Sequence, residues 1–509
     1  MGVSGVLLLY FCNMFIRKKI NKSGSTSIAV VDKSHGRYRV VKTFGSSSDL
    51  KRIEQLESEA RQWMQDGQMF IPFEEEERQG LLEHIDSVLL NGPQLLLGKV
   101  YDEIGFSAIQ DAVLRELVIS RICHPASKLS TKEFIRRHFG DNISEDRIYR
   151  YMDKLYNTRK EIVQRISVGH TAKVVGEVAC LLFYDVTTLY FESSIRDGLR
   201  ENGFSKDGKT AETQIVLGLL ASRNGYPLSY SIFNGSQFEG RTMLPVIDDF
   251  IQRFKVQDFV IVADSGLMSA ANVRLLQDAG YKYILGARIK NASKSETEWI
   301  LSQPKQEHVF YEKLQEDGRR LIIGYSSQRA KKDRYNREKG LKRLRKAFAS
   351  GHFTKENINK RGYNKFLELD GRIGVRINED KIGEDAQWDG LKGYVTNTSL
   401  SAQDVVDQYH GLWVVERAFR VTKGNFEMRP IFHFTPRRIE AHICICFIAL
   451  KVYKELERQI KAFDCPFSVD TVLAIANTIT TIYVRTNNGG LISKTLFLTE
   501  EQKSIQFLF

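Results

Sequence analysis

The stretch 405–423, VVDQYHGLWVVERAFRVTK, places a carboxylate within the apolar face of a predicted helix. In a helix, side chains three, four and seven positions apart share one face. The residues that share this face are Val405, Tyr409, Leu412, Glu416, Phe419 and Lys423. We therefore expect Glu416 to point inward, with Arg417 off the face. Because burying a lone carboxylate costs several kcal/mol, Glu416 should be paired, protonated or bound to a cation.

Two aspartates stand at interruptions of other apolar runs. Asp185 lies within ACLLFYDVTTLYF (179–191), and Asp264 follows the apolar residues of FVIVADSG (259–266). We expect both at strand ends, although Asp264 alone fits an N-cap or turn residue equally well. Carboxylates from neighbouring strand ends and a crossing helix can share two Mg²⁺ ions in phosphoryl transfer. We predict that Asp185, Asp264 and Glu416 converge on two Mg²⁺ ions, for which Mn²⁺ would substitute.

The composition is that of a basic globular chain. It has 509 residues, a hydrophobic fraction of 42% and a formal net charge of +12. This length exceeds one small core, so we expect a central domain with added modules. A basic surface gains affinity for polyanions by releasing counterions, which favours nucleic acid as the partner. The six cysteines form no C-x-x-C pair, which indicates a reducing cytosol and argues against structural zinc.

The N-terminal apolar run, GVLLLYFCNMFI (5–16), is shorter than the roughly 20 residues that a membrane-spanning helix needs. Its basic residues follow the run, whereas those of a cleaved signal peptide precede it. Met14 offers a second start position, and we expect translation to begin there, which leaves 1–13 outside the working protein. We expect no membrane partner and a cytoplasmic location, at the nucleoid of a bacterial or archaeal cell when the protein is active.

The patterns divide the chain into segments with different characters. The predicted segments are 1–75, a β-hairpin and a helix; 76–177, helical; 178–288 and 391–460, a catalytic core in two parts; 289–390, a basic, β-rich insertion; and 461–509, peripheral. The short helices of 76–177 fit a helix-turn-helix that reads DNA. A helical bundle that only supports the core fits them equally well.

The core segment predicts strands and helices in a definite order. VACLLFYDVTTLYFES, TQIVLGLLAS and PLSYSIFNGS predict three strands in an antiparallel meander. Helix, strand, helix and strand follow up to residue 288. The order β-β-β-α-β-α-β predicts a ribonuclease H-like mixed sheet, within an α/β protein that has an α-helical N-terminal region.

The insertion contains a dense basic run, RAKKDRYNREKGLKRLRKAF (329–348). A charge run is most often a solvated helix face. Here the acids Asp333 and Glu338 offset only a small part of the positive charge. We therefore predict that this helix contacts phosphates through Lys342, Arg343 and Arg345, among others.

Four stretches resemble a known family. The runs LLFYDVTTLYFES, GFSKDGKTAETQIVLGLL, FVIVADSGLMSAANVRLL and YHGLWVVERAFRVTKGNFEMRPIFHFTPRRIEAHICICFIAL resemble the DDE transposases of bacterial insertion sequences, in the group with a Tyr-Arg-Glu-Lys signature around the last acid. The resemblance extends from about Met14 to near residue 460 and is most specific over 405–450. It implies a ribonuclease H-like core with an insertion before the glutamate helix, and DNA end cleavage followed by strand transfer with Mg²⁺.

The resemblance also assigns roles by motif. The residues that match the family's catalytic acids are Asp185, Asp264 and Glu416. Tyr409 and Lys423 match signature residues that the family uses against transposon-end phosphates. Leu412 occupies the signature's arginine position, so one phosphate contact is missing, and Arg417 or Arg420 are nearby candidates to replace it.

Together these observations predict a DNA transposase of an insertion sequence, which cuts the element's inverted-repeat ends and joins the freed 3′-hydroxyls to target DNA as a homodimer. The alternative is a catalytically silent, sequence-specific DNA-binding protein derived from a transposase, and the departure at Leu412 supports it. A phosphatase of the haloacid-dehalogenase type, with Asp185 as nucleophile, fits less well. Thr187 stands where that chemistry needs a second aspartate.

Overall fold

The computed structural model describes most of the chain. The described residues are 14–32, 38–65, 84–155, 159–176, 181–205, 208–209, 211–350, 358–359, 362–370, 374–486 and 490–509. The segment 1–13, which precedes the predicted start at Met14, lies outside them. The chain divides into two compact units, Met1–Gly92 with Ala474–Phe507 and Pro93–Leu473 with Leu508–Phe509.

Both units contain strands and helices. Within the described residues the strands are β1 (Met14–Ile20), β2 (Thr26–Asp32), β3 (Arg39–Ser47), β4 (Ile85–Leu89), β5 (Leu181–Tyr190), β6 (Gln214–Ser222), β7 (Pro227–Asn234), β8 (Val260–Ala263), β9 (Lys282–Ala287), β10 (Phe310–Leu314), β11 (Arg320–Tyr325), β12 (Leu367–Asp370), β13 (Gly374–Ile377), β14 (Leu391–Thr396), β15 (Thr480–Arg485) and β16 (Leu491–Leu496). The helices are α1 (Leu50–Gln65), α2 (Gly92–Ile104), α3 (Ala112–Cys123), α4 (Lys128–Phe139), α5 (Glu145–Leu155), α6 (Lys160–Val175), α7 (Met243–Phe254), α8 (Ala270–Asp278), α9 (Lys294–Ser302), α10 (Ser327–Ala349), α11 (Glu379–Ala386), α12 (Ala402–His410), α13 (Trp413–Lys423), α14 (Pro436–Ala462), α15 (Val469–Ala476) and α16 (Glu500–Ser504).

The smaller unit, Met1–Gly92 with Ala474–Phe507, is built on two small sheets in its described residues. One is the antiparallel sheet β1-β2-β3, and the other has the order β16-β15-β4. Helix α1 covers the first sheet, because Leu56 and Ala60, four residues apart on one helix face, pack against Ile28 and Val30 of β2. The second sheet joins residues near position 85 to the C-terminal segment through antiparallel pairing.

The larger unit is organised around an eight-stranded mixed sheet with the order β10-β11-β14-β9-β8-β5-β6-β7. Strands β5, β6 and β7 form an antiparallel meander, which confirms the prediction for these three strands. Strands β8 and β9 run parallel to β5, and β14, β11 and β10 continue the sheet by antiparallel pairing. The insertion therefore lengthens the central sheet by two strands.

Helices cover both faces of this sheet. On one face, apolar residues of α7 and α8, such as Val246, Phe250 and Leu276, form a continuous core with Tyr184 and Val186 of β5. On the other face, α12 packs against β8 and β9, α13 against β5 and β6, and α14 against β7. A sheet covered on both faces explains why its central strands are almost wholly apolar.

The helical region before the sheet packs against α14. This helix contacts α3, α5 and α6, and Arg438 at its start holds Asp153 of α5 through two hydrogen bonds of 2.8 Å. The helices α3 and α4 begin at the N-cap residues Asp111 and Ser127, whose side chains accept backbone N–H groups. Whether this region reads DNA stays a prediction.

The stretch 405–423 forms two helices, whereas its periodicity predicts one. Helix α12 ends at His410 and α13 begins at Trp413, with Gly411 between them. A Cβ atom at Gly411 would lie 2.7 Å from the Phe183 ring on β5, so the absent side chain lets this junction lie directly on the sheet. Within the described residues, no helix combines the length and apolar character needed to cross a bilayer.

Candidate active site and nucleic-acid interface

The parallel pairing of β5 with β8 brings the two predicted aspartates side by side. The pairing ends with Tyr184 opposite Ala263, and the next residues on the two strands are Asp185 and Asp264. Asp264 follows the last residue of β8, as predicted. Asp185 instead lies in the middle of β5, because β5 continues its antiparallel pairing with β6 as far as Tyr190.

Strand alternation decides which face Asp185 occupies. The Tyr184 hydroxyl donates to Thr242 Oγ1 at 2.9 Å, next to α7, so the side chain of Asp185 points to the opposite face, which α13 covers. Asp185 is half-buried, and its Oδ1 accepts the backbone N–H of Val186 at 2.8 Å.

Tyr409 connects α12 to the second aspartate. Its hydroxyl donates to Asp264 Oδ1 at 2.8 Å, although the ring is almost fully buried. Burial and the Asp264 charge raise the pKa of Tyr409, so the hydroxyl stays protonated as a donor. Asp264 is not the N-cap of the following helix, because Ser269 caps α8. This removes the N-cap alternative for Asp264.

Glu416 is exposed, so the expectation that it points inward is wrong. The break at Gly411 changes the phase of the second helix, and the buried positions of α13 are Val415, Ala418, Phe419, Val421 and Thr422. A projection of one uninterrupted helix cannot capture this rotation. The Glu416 charge nevertheless acts on Lys392 and Tyr409, as the Asp264 charge does, which brings Glu416 into the neighbourhood of Asp264.

Lys392 on β14 is a cation that the sequence interpretation missed. Its ammonium lies 4.3 Å from the centre of the Tyr409 ring and 5.7 Å from that of Tyr394. Burial and the charge of Arg329 lower the pKa of Lys392, while Asp264 and Glu416 oppose that shift. The available signal was a lysine within the apolar strand LKGYVT.

The two strand aspartates carry the kind of donor atoms that a divalent ion needs. Carboxylate oxygens are the ligands that Mg²⁺ prefers, and Mg²⁺ keeps several waters and substrate oxygens, so one or two carboxylates suffice. The adjacent Asp185 and Asp264 fit this chemistry. Within the described residues, no three His, Cys, Asp or Glu side chains are grouped closely enough to hold one ion. Asp185 and Asp264 are therefore suitable donors, and Glu416 does not lie close enough to form a three-residue cluster with them.

Two clefts lie beside these residues. The larger has a volume of about 690 Å³ and is bordered by Asp264, Tyr409 and Lys392, and the second has a volume of about 570 Å³. Arg329 and Lys392 line both clefts. The other cations of the larger cleft are Arg288, Lys290, Arg337 and Lys365. Acids of the same cleft pair with most of these cations: Asp333 with Arg329, Asp385 with Lys290 and Lys365, and Asp389 with Arg337. Lys392 forms no such ion pair within the described residues.

The residues predicted to contact DNA do not form one cluster with the acids. Arg417 pairs with Glu457 of α14 at 2.7 Å, and Arg345 pairs with Glu379 at 2.9 Å. Among the other predicted residues, Tyr409 contacts Asp264, as described above. Arg420, Lys342 and Arg343 are exposed, and Lys423 is half-buried at the end of α13. Leu412, at the signature's arginine position, is buried. Arg417 is therefore held by an acid, whereas Arg420, Lys342 and Arg343 are open to solvent.

A comparison with protein families places the chain in one class, the proteins of DNA transposition. The model of the family described as "Transposase DDE domain" matches residues 177–451, a little over half of the chain. The chain belongs to this family of transposases, which generally use divalent metal ions. A comparison with curated proteins finds no match.

Solved structures of two transposases are also similar to the chain. The piggyBac transposase synaptic complex with hairpin DNA is 9% identical, covering 71% of this chain and 68% of its own, with a TM-score of 0.39. The Mos1 transposase paired-end complex with left transposon end is 13% identical, covering 46% of this chain and 67% of its own, with a TM-score of 0.16.

Proposed function

We propose that this chain is the cut-and-paste transposase of an insertion sequence, with a ribonuclease H-like core. The observation that supports this most directly is the parallel register of β5 and β8, which sets Asp185 beside Asp264. The strand order of the meander followed by β8 and β9 supports the same core. The bacterial or archaeal origin and the homodimer that would hold two element ends belong to this proposal.

The reaction proposed is cleavage at the element's end followed by attack of the freed 3′-hydroxyl on target DNA. Asp185, Asp264 and Glu416 would hold Mg²⁺, which when bound activates the attacking oxygen and stabilises the leaving oxygen. Tyr409 fixes Asp264 by donating a hydrogen bond, which presents the other carboxylate oxygen to the cleft. The exposed position of Glu416 leaves it able to approach once DNA phosphates fill the cleft.

Lys392 is proposed to make the phosphate contact that the signature's arginine would make, because Leu412 occupies the arginine position in this chain. Its ammonium stands on the Tyr409 ring and borders both clefts, where a phosphate beside the acids would meet it. The burial of Lys392 strengthens such a contact, because the attraction between a cation and an anion is larger in a medium of low dielectric constant than in water. The exposed cations of α10, Lys342 and Arg343, are proposed to hold DNA further away.

The decisive experiment measures nicking of a supercoiled plasmid that carries the coding region with its flanking DNA, in Mg²⁺. Asp185→Asn, Asp264→Asn and Glu416→Gln should each reduce nicking to background, and chelation of the metal should do so in the wild type. Asp278→Asn, an exposed acid at the end of α8, is the matched control and should cut normally. Undiminished cutting by one of the three variants would remove that residue from the site.

A catalytically silent DNA-binding protein is the second candidate, and the exposed Glu416 favours it. Such a protein would bind DNA with a steep dependence on salt, because its contacts are to phosphates. Binding of this kind by the wild type, without nicking in Mg²⁺ or Mn²⁺ on DNA that contains the inverted repeats, would support the silent protein over the transposase.

A further inference from the structure

A further, smaller cavity lies in the larger unit, between the helical region and α14. Its volume is about 170 Å³, and it is lined by the end of α3, the start of α4 and the segment 427–433. We name it the Lys128 cavity after its most buried charged residue. The polar residues of its lining used below are Arg121, Ser127, Lys128, Glu427, His433 and His442.

The charged groups of the Lys128 cavity are buried cations. Lys128 and Arg121 are 6% and 8% exposed, so both are more than nine-tenths buried. Arg121 donates to the carbonyl oxygen of Phe426 at 3.4 Å, and neither cation forms an ion pair within the described residues. Among the described lining residues the acid is Glu427, which is exposed. Buried cations are normally paired, so this arrangement lacks an anion.

A helix start adds to the same positive potential, and two imidazoles, which are neutral near pH 7, line the wall beside it. The His433 and His442 ring centres are 5.3 Å apart, and the buried His442 Nδ1 has no hydrogen-bond partner among the described residues. Ser127, the N-cap of the 12-residue helix α4, also lines the cavity, so the positive end of that helix lies at this wall. Helix N-termini and clustered cations are the usual components of anion sites.

The titration of these groups agrees with the geometry. Burial, followed by the charge of Arg121, lowers the pKa of Lys128 to about 7. Burial, followed by the charges of Lys128 and Arg121, lowers the pKa of His433 to about 3. Burial and the neighbouring charges thus disfavour protonation of Lys128 and His433, and an anion in the cavity would favour it.

We propose that the Lys128 cavity is a phosphate-binding site. A water molecule takes up roughly 30 Å³ in the liquid, so a cavity of about 170 Å³ has room for a phosphate group and a few waters. Arg121 and Lys128 supply charge-assisted hydrogen bonds, and the first N–H groups of α4 supply further donors. The phosphate is either free inorganic phosphate or a group of the DNA backbone.

Inorganic phosphate tests the site without any assumption about DNA cleavage. Calorimetric titration of the full chain with phosphate, against chloride at equal ionic strength, should give saturable binding at one site. Lys128→Met should weaken this binding by about tenfold or more, since a charge-assisted hydrogen bond is lost. Lys132→Met, on the same helix but outside the cavity lining, should bind phosphate as the wild type does.

The proposed site is overturned if the wild-type protein shows no saturable phosphate binding. This test does not depend on whether Lys128→Met folds. Equal binding by the wild type and a folded Lys128→Met would overturn it too.

The two possible sources of the phosphate are distinguished with a short DNA duplex. If the phosphate belongs to DNA, the duplex displaces inorganic phosphate, and Lys128→Met lowers the salt slope of duplex binding by about 1. If it is free phosphate, the wild type binds phosphate and duplex together.

Discussion

Tyr409 reaches Asp264 because residue 286 on β9 carries no side chain. A Cβ atom at Gly286 would lie 2.5 Å from the Tyr409 hydroxyl and 2.9 Å from the backbone nitrogen of Ser265. The hydrogen bond to Asp264 thus depends on a glycine that no sequence motif marks. The resemblance assigned Tyr409 to transposon-end phosphates, and its position against Asp264 points to a positioning role.

Tyr409→Phe should lower the rate of Mg²⁺-dependent nicking by about 10- to 100-fold, the usual cost of losing a hydrogen bond to a metal-binding side chain. The ring stays packed, so the loss should appear mainly as a higher Mg²⁺ requirement, measured in single-turnover assays. Tyr394→Phe, which removes a neighbouring hydroxyl on β14, should leave that requirement unchanged. Equal effects of both variants would contradict the positioning role.

Lys128 makes the stability of the fold depend on pH. Its pKa is about 7 in the folded chain, against an ordinary value of 10.5. Between these values the unfolded chain binds a proton that the folded chain does not, so stability from this residue rises with pH across the window. The loss of folding stability caused by protonated Lys128 is complete below pH 7. The groups that face Lys128 in the folded chain include Arg121, Cys446 and His433.

The pH prediction is tested by urea unfolding of Lys128→Met and the wild type in phosphate-free buffers. The variant should be more stable than the wild type below about pH 7, and the difference should close as the pH approaches 10.5. A difference that is constant across this window would show that Lys128 acts through packing and not through its charge.

Among the elements, helix α10 is tied to the segment before β14 by an ion pair and by a hydrogen bond from the Gly390 N–H to Asp333 at 3.2 Å. Arg337 donates to both carboxylate oxygens of Asp389, at 2.5 and 2.7 Å, just before β14, and both side chains are nearly buried. The burial of Leu341, Leu344 and Phe366 completes the contact between α10 and the rest of the insertion. The basic helix is therefore held rigidly beside the larger cleft.

Arg337→Ala should destabilise the larger unit by about 3–5 kcal/mol, because it leaves Asp389 buried without its partner. Chemical denaturation followed by tryptophan fluorescence measures this free energy of unfolding. Arg345→Ala breaks the exposed pair with Glu379 on the same helix and should cost less than about 1 kcal/mol. Similar losses in the two variants would exclude Arg337 as the anchor of α10.

The elements that could be predicted are those whose pattern is local. The alternation and apolar runs of 178–288 located the meander, and the dense cations of 329–348 located α10. The pairing of β11 with β14 is a contact between distant segments, so no local pattern reveals that the insertion belongs to the central sheet. The exposure of Glu416 was missed for a related reason, because the contact of Gly411 with Phe183 sets the phase of α13.

At the scale of the whole molecule, the net charge of +12 is compatible with DNA binding but does not locate it. The described cations are distributed over both units, and only part of them border the clefts. A binding surface is distinguished from general positive charge by the dependence of affinity on salt, since each phosphate contact contributes about −0.9 to the logarithmic slope.

Lys342→Glu with Arg343→Glu should weaken duplex binding and lower the magnitude of the salt slope by about 2, one for each lost phosphate contact. The charge-matched control is Lys51→Glu with Arg52→Glu on α1, which should leave the slope nearly unchanged. Fluorescence anisotropy of a labelled duplex, measured across a series of salt concentrations, gives both slopes. An equal loss in the control would mean that DNA responds to the summed charge of the chain, and α10 would then have no special part in binding.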